Sequence, residues 1–273
     1  MLQLIKQYRS NQVNKLYTKS EIWFSIIWII IYVLGTSLCD SISINIGIEK
    51  VISLPYLLLL STILIVWLYK NKFFQKYGLC NTPYPLSKYW YFIPLIILIS
   101  ANLWYGVALN LSILETILYI LCMLCVGFLE EIIFRGLLFC AMAKDNVRSA
   151  TIVSSITFGI GHIINLFNST QADLISNICQ VITAIAIGFL FVIIFYRGKT
   201  LIPCIITHSI FNALSVFSNS QINTAQNQII VSTIILILTI GYTLILLNTL
   251  PKETNPQSTQ IENNKQSSQI REE

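Results

Sequence analysis

Gly127-Phe128-Leu129-Glu130-Glu131-Ile132-Ile133-Phe134-Arg135-Gly136 sets two adjacent carboxylates and a guanidinium inside an apolar run that begins near Leu111 and turns polar only at Lys144. A charged side chain at the centre of a membrane helix costs roughly 2.5–3.5 kcal/mol on insertion scales, so such groups face a protein interior or a wet cavity and are kept for a function. There is an interfacial alternative. Residues 111–129 alone are long enough to span, which would leave the charges at the inner surface. Against it, Ile132 to Ala143 is apolar on every face except at Arg135, where an interfacial helix would carry a polar stripe.

The rest of the chain is built for the same solvent. Of its 273 residues 55% are hydrophobic and 11% charged, against about 25% charged in a soluble domain. A net charge of +5 would suggest nucleic acid in a soluble protein. Here the basic residues fall in short loops between apolar runs, with no basic stripe of interleaved aromatics, so no nucleic-acid partner is expected. Apolar runs of spanning length occupy 22–39, 52–69, 90–109, 112–143, 149–166, 175–196, 200–217 and 228–249. The fold class expected is therefore an all-α integral membrane bundle of about eight transmembrane helices. It is preceded by a basic segment, 1–21, and followed by a polar tail, 250–273, whose Gln, Asn, Ser and Glu content predicts disorder. The first span is long and follows a polar stretch, so it is expected to remain as an anchor.

Basic residues test the count. With both termini cytoplasmic, the inner segments hold fifteen of the seventeen Lys and Arg; the exceptions are Lys50 and Arg135. The seven cysteines are odd in number and lie mostly in apolar runs, and Cys122-x-x-Cys125 has no second pair, so packing accounts for them. No internal repeat or glycine-rich phosphate loop is present, which leaves a transporter without its usual inverted symmetry.

Few polar side chains lie deep in the spans, and both histidines of the chain are among them. Glu131 and Arg135 stand i,i+4 with the acid first, the favourable order for an ion pair, which leaves Glu130 pointing elsewhere and free. His162 follows Phe158 by four residues, with Gly159 and Gly161 leaving the backbone bare for a neighbouring helix or a substrate chain. His208 and Asn212 share one face of the seventh span. Counted from the inner ends at 1.5 Å per residue, Glu130 and His162 lie at roughly 21 Å and His208 at roughly 13 Å, so the four can line one cavity. Two chemistries fit these types. A zinc ion held by Glu130, His162 and His208 would acidify its water. Alternatively Glu130 itself activates water while a histidine and an amide hold the oxyanion. Both hydrolyse a peptide bond.

The ordered set Glu130-Glu131-x-x-x-Arg135, Phe158-x-x-x-His162 and His208-x-x-x-Asn212 resembles the CPBP family of intramembrane proteases, which includes the CAAX prenyl endopeptidases and the bacterial Abi-type, bacteriocin-processing and immunity proteins. The resemblance covers roughly residues 112–217. It implies that Glu130 activates water, His162 helps hold it, His208 and Asn212 form the oxyanion hole, and Glu131 with Arg135 is the supporting ion pair. Whether such enzymes use zinc is left open by the resemblance. An intramembrane endopeptidase is thus expected, acting on a membrane-associated peptide or protein from a site open to the cytoplasmic side; the alternative is a non-proteolytic immunity or regulatory protein on the same scaffold. The isoleucine-, asparagine- and lysine-rich composition suits an AT-rich bacterium and its plasma membrane. A peptide precursor or membrane regulator then becomes a better substrate than a prenylated protein.

Overall fold

The computed structural model describes residues 14–85, 92–168 and 174–250. Residues 1–13 of the basic segment, Lys88 and the tail from 251 onward lie outside the described residues. Among the described residues, a short helical stretch at 14–19 is followed by eight longer helical segments: α1 (Glu21–Ile46), α2 (Ser53–Lys70), α3 (Phe92–Ser100, continued by a 3-10 turn to Tyr105), α4 (Ile113–Ala143), α5 (Val147–Gly161, continued through a 3-10 turn to Asn168), α6 (Leu174–Gly198), α7 (Ile202–Leu214, continued by a 3-10 turn to Phe217) and α8 (Ala225–Thr249). Six are long and apolar enough to cross a bilayer; α3 and α7 with their turns, Phe92–Tyr105 and Ile202–Phe217, are shorter. The all-α membrane bundle stands, with an isolated bridge between Val107 and Ser218 as the strand-like pairing among the described residues.

Local chemistry sets the ends. Ser20 caps α1, Ser112 and Glu115 form a capping box at α4, Asn146 caps α5, and Pro203 sits in the first turn of α7 where its missing N–H is harmless. α1 outruns its expected end at residue 39 because the polar residues there are satisfied within the protein. Asp40 takes Lys50 at 2.9 Å, and the hydroxyls of Ser41 and Ser43 turn back onto the carbonyls of Ser37 and Cys39. Gly47, at φ 81°, then ends the helix. Burial pulls the Lys50 ammonium down, but Asp40 beside it pushes it up further, so the net displacement is above the ordinary lysine value and Lys50 is charged at neutral pH.

Contacts sort the connections into two ends. At one, Glu21 binds Lys76 at 2.9 Å and Lys144 at 2.8 Å, while Leu201 donates to the Gly78 carbonyl and Thr82 to that of Gly198. Tyr17 is folded in there too, edge-on to Phe24 and Trp67 and bonded to Tyr77, so residues 14–20 are part of the packed bundle. At the other end Glu49 donates its backbone N–H to Glu115, Ala108 to Phe217 and Asn219 to Gly106. Among the described residues the first end carries the loop lysines and arginines, and Lys50 is the basic residue of the second.

In lipid the apolar effect does not drive helices together, so close approach at small residues matters more. The outer faces carry exposed Ile and Leu, such as Leu34 and Leu38 on α1 and Ile237 on α8. Inside, Gly127 of α4 meets Ser209 of α7: an added Cβ would stand 2.6 Å from the Ser209 backbone nitrogen. Gly159 meets α6 in the same way, 2.9 Å from the Ile185 nitrogen, whereas Gly161 faces open space. The two glycines beside His162 therefore divide the roles expected of them, one for a helix and one for a cavity. Gly127→Ala is expected to lower stability by about 1–3 kcal/mol, because backbone rather than a flexible side chain must yield. Gly161→Ala should leave the thermal unfolding midpoint in detergent unchanged.

Candidate active site

α4 does not end at Leu129. It runs unbroken to Ala143, and from Glu131 to Phe139 it widens into a π-helix with every residue buried. This removes the interfacial alternative: Glu130 is 8% exposed, and Glu131 and Arg135 are 0% exposed. π-helical turns recur at functional sites, where they displace side chains from the regular α positions.

Arg135 Nη1 donates to Glu131 Oε1 at 2.9 Å, the pair expected from the spacing. The rest of the guanidinium lies on aromatic faces, 4.0 Å above the Phe158 ring centroid and 5.5 Å from that of Phe191. Phe158 also meets the rings of His162 and His208 edge to face, with centroids at 5.3 and 5.6 Å. The phenylalanine of Phe158-x-x-x-His162 is thus the common wall of the arginine and both histidines.

Glu131 does more than hold Arg135. The same Oε1 lies 2.7 Å from Nδ1 of His208. That contact orients the ring and turns Nε2 toward Glu130, whose Oε2 is 3.3 Å away. Glu130 was expected to be free and is not. Tyr32 of α1, 98 residues away, donates to its Oε1 at 2.6 Å. Both glutamates converge on one imidazole because they reach it from adjacent positions of a widened helix with His208 set between them. The remaining atom, Glu130 Oε2, is buried without a hydrogen-bond partner in the structure.

His162 closes α5 and opens the 3-10 turn, with Gln180 Nε2 3.4 Å from its Nδ1 and Asn177 donating to its carbonyl. Glu130, His162, His208 and Asn212 all line one cavity of about 660 Å³, within the usual size of a ligand site. All four expected residues are brought together. Tyr32 and Gln180 join them without any sequence signal: each is an ordinary polar residue in an apolar helix.

From Glu130 the cavity runs along Tyr119 and Tyr105 to Asp40, Lys50, Asn165 and Asn223, toward the end that lacks the basic loops. Toward the basic end the core is filled by Leu137, Phe139, Tyr77 and Leu201, each at most 2% exposed. A zinc ion was the other chemistry left open. The donors do not fit one: His208 turns each nitrogen onto a carboxylate, and among the described residues no three His, Cys, Asp or Glu side chains converge on a metal position.

Residues 112–214 match the family described as type II CAAX prenyl endopeptidase, Rce1-like. The match supports membership of the CPBP/CAAX protease family, and it takes in Glu130, Glu131, Arg135, His162, His208 and Asn212. It covers less than half of the chain, so Tyr32 and the α1 to α3 segment lie outside it. No curated protein and no solved structure matches the chain.

Tyr32 fixes one oxygen of Glu130 and leaves the other beside His208 Nε2. Tyr32→Phe removes a hydrogen bond to a carboxylate, worth about 1.5–3 kcal/mol, or roughly ten- to a hundredfold. The expected result is that loss in kcat with KM unchanged, measured on the purified protein; equal losses in kcat and in thermal stability of Glu130→Gln and Tyr32→Phe would point to a packing role instead.

Proposed function

We propose that this chain is an intramembrane endopeptidase that hydrolyses a peptide bond of a membrane-associated polypeptide with water activated by Glu130. The observation that carries this is Glu130 Oε2, a buried carboxylate oxygen with no hydrogen-bond partner, 3.3 Å from His208 Nε2 on a residue that lines the cavity.

The chemistry uses the chain's own groups. Glu130 Oε2 takes a proton from water as the water oxygen attacks the carbonyl carbon. The oxyanion that forms accepts hydrogen bonds from the Asn212 amide and from His208. Glu130 then returns the proton to the amide nitrogen while the C–N bond breaks, releasing a carboxylic acid and an amine. His162 orients the water from the opposite wall. No step needs a metal. Stoichiometric zinc in the purified protein, lost in His208→Ala, would contradict this.

We place the basic end in the cytoplasm by the positive-inside rule, with both termini on that side, in a bacterial plasma membrane. The substrate class is a peptide precursor or membrane regulator. Protein reconstituted in liposomes with a library of membrane-derived peptides is expected to generate new termini with time. If none appear, and Glu130→Ala and His162→Ala retain full biological activity in cells, the chain is a non-proteolytic immunity or regulatory protein.

A further inference from the structure

The closed floor and the open end of the cavity stand on opposite sides of the membrane. Resting on the protease reading above, we infer that the active site is loaded from the extracytoplasmic side, and that its substrate is a polypeptide segment already moved across the membrane. Two independent observations meet here. First, the loop lysines and arginines of the described residues gather at one end, tied together through Glu21, Lys76 and Lys144. Cytoplasmic loops of membrane proteins carry this excess, and the opposite end holds Lys50, which Asp40 and Glu49 neutralise.

Second, the cavity reaches that opposite end, and its wall there sets carboxamides among apolar residues. Asn102, Asn177, Gln180, Asn223 and Gln228 line it, from helices α3, α6 and α8 and the loop before α8. Asn223 Oδ1 is buried and has no hydrogen-bond partner in the structure. Asn102, Asn177, Gln180 and Gln228 already hydrogen-bond within the protein, which leaves Asn223 Oδ1 as an open acceptor for the N–H of an extended backbone. A polypeptide in that form crosses the mouth at Asp40 and Lys50 and reaches Glu130 at the bottom. The floor beneath Arg135 admits nothing from the cytoplasm, because Leu137, Phe139, Tyr77 and Leu201 fill it. Substrates made and held in the cytoplasm, such as prenylated carboxyl termini, stand on the wrong side.

Cysteine accessibility in intact bacterial expression hosts tests this without any catalytic readout. The native Cys179 lines the cavity and serves as the internal reporter once the other six cysteines are replaced by serine. In a chain with all seven replaced, Gln221→Cys reports the exposed loop at the open end and Lys70→Cys the exposed end of α2 at the basic end. A small, charged, membrane-impermeant thiol reagent is expected to label Cys179 and Gln221→Cys in intact cells, and Lys70→Cys only after permeabilisation. Labelling of Lys70→Cys but not Gln221→Cys in intact cells overturns the sidedness. Failure to label Cys179 from outside, with Gln221→Cys labelled, overturns the opening of the cavity. Either failure leaves proteolysis by Glu130 standing, whereas full activity of Glu130→Gln would sink the protease reading and leave the labelling pattern as it is.

Discussion

Glu130→Gln is expected to lose peptide hydrolysis by on the order of 10²–10⁴-fold, the usual contribution of a positioned general acid–base, while the protein folds as before. The substitution keeps the size of the side chain. An amide oxygen at the Oε1 position still accepts from the Tyr32 hydroxyl, which now stands at 2.6 Å, so α1 and α4 remain tied. What is lost is the orphan Oε2, the atom proposed to take and return the proton. The amide nitrogen that replaces it has no proton-accepting lone pair. The measurement is the rate of appearance of new termini by purified protein in liposomes, with the thermal midpoint recorded beside it. A large fall in both quantities would reassign Glu130 to structure, and an unchanged rate would remove it from the chemistry.

Arg135→Met is expected to destabilise the protein by about 3–5 kcal/mol, because removing one member of a buried ion pair leaves the other uncompensated. Arg135 and Glu131 are both 0% exposed, and the guanidinium also covers the Phe158 face that bounds both histidines. Removing both charges should behave differently. Glu131→Leu combined with Arg135→Met replaces the pair by apolar side chains, a change that is often neutral or stabilising. Stability is then recovered, but activity is not, since His208 Nδ1 loses the acceptor that orients it. Unfolding in detergent gives the first quantity and peptide cleavage the second. A single variant as stable as the parent, or a double variant as active, would mean that the pair does neither job.

Much of this was legible because lipid leaves a strong mark on sequence. Long apolar runs located the eight longer helical segments, since such runs follow from the medium rather than from a partner. Spacing found Glu131 with Arg135 even though the helix there is π rather than α, because long side chains tolerate the change in twist. The partner of Glu130 was not legible. Tyr32 is one of thirteen tyrosines and meets Glu130 only through the packing of α1 against α4, which no periodicity encodes. The same holds for Phe158, whose four ionic and aromatic neighbours come from three helices. α1 ran past Asp40 because its neutralising lysine is ten residues further on, beyond the turn. The run of the cavity was not legible for a related reason. Depth counted along each helix places Glu130 nearer the basic end, but access depends on which side the bulky side chains fill, and Leu137, Phe139 and Leu201 fill the nearer one.

The most direct test of the central claim is cleavage in water labelled with oxygen-18, in the presence of hydroxylamine, by the wild-type chain and Glu130→Gln in parallel liposomes. Direct attack by activated water predicts one labelled oxygen in each new carboxyl terminus, no hydroxamate, and no comparable product from Glu130→Gln. Hydroxamate at the new termini, or equal product from the variant, would contradict it.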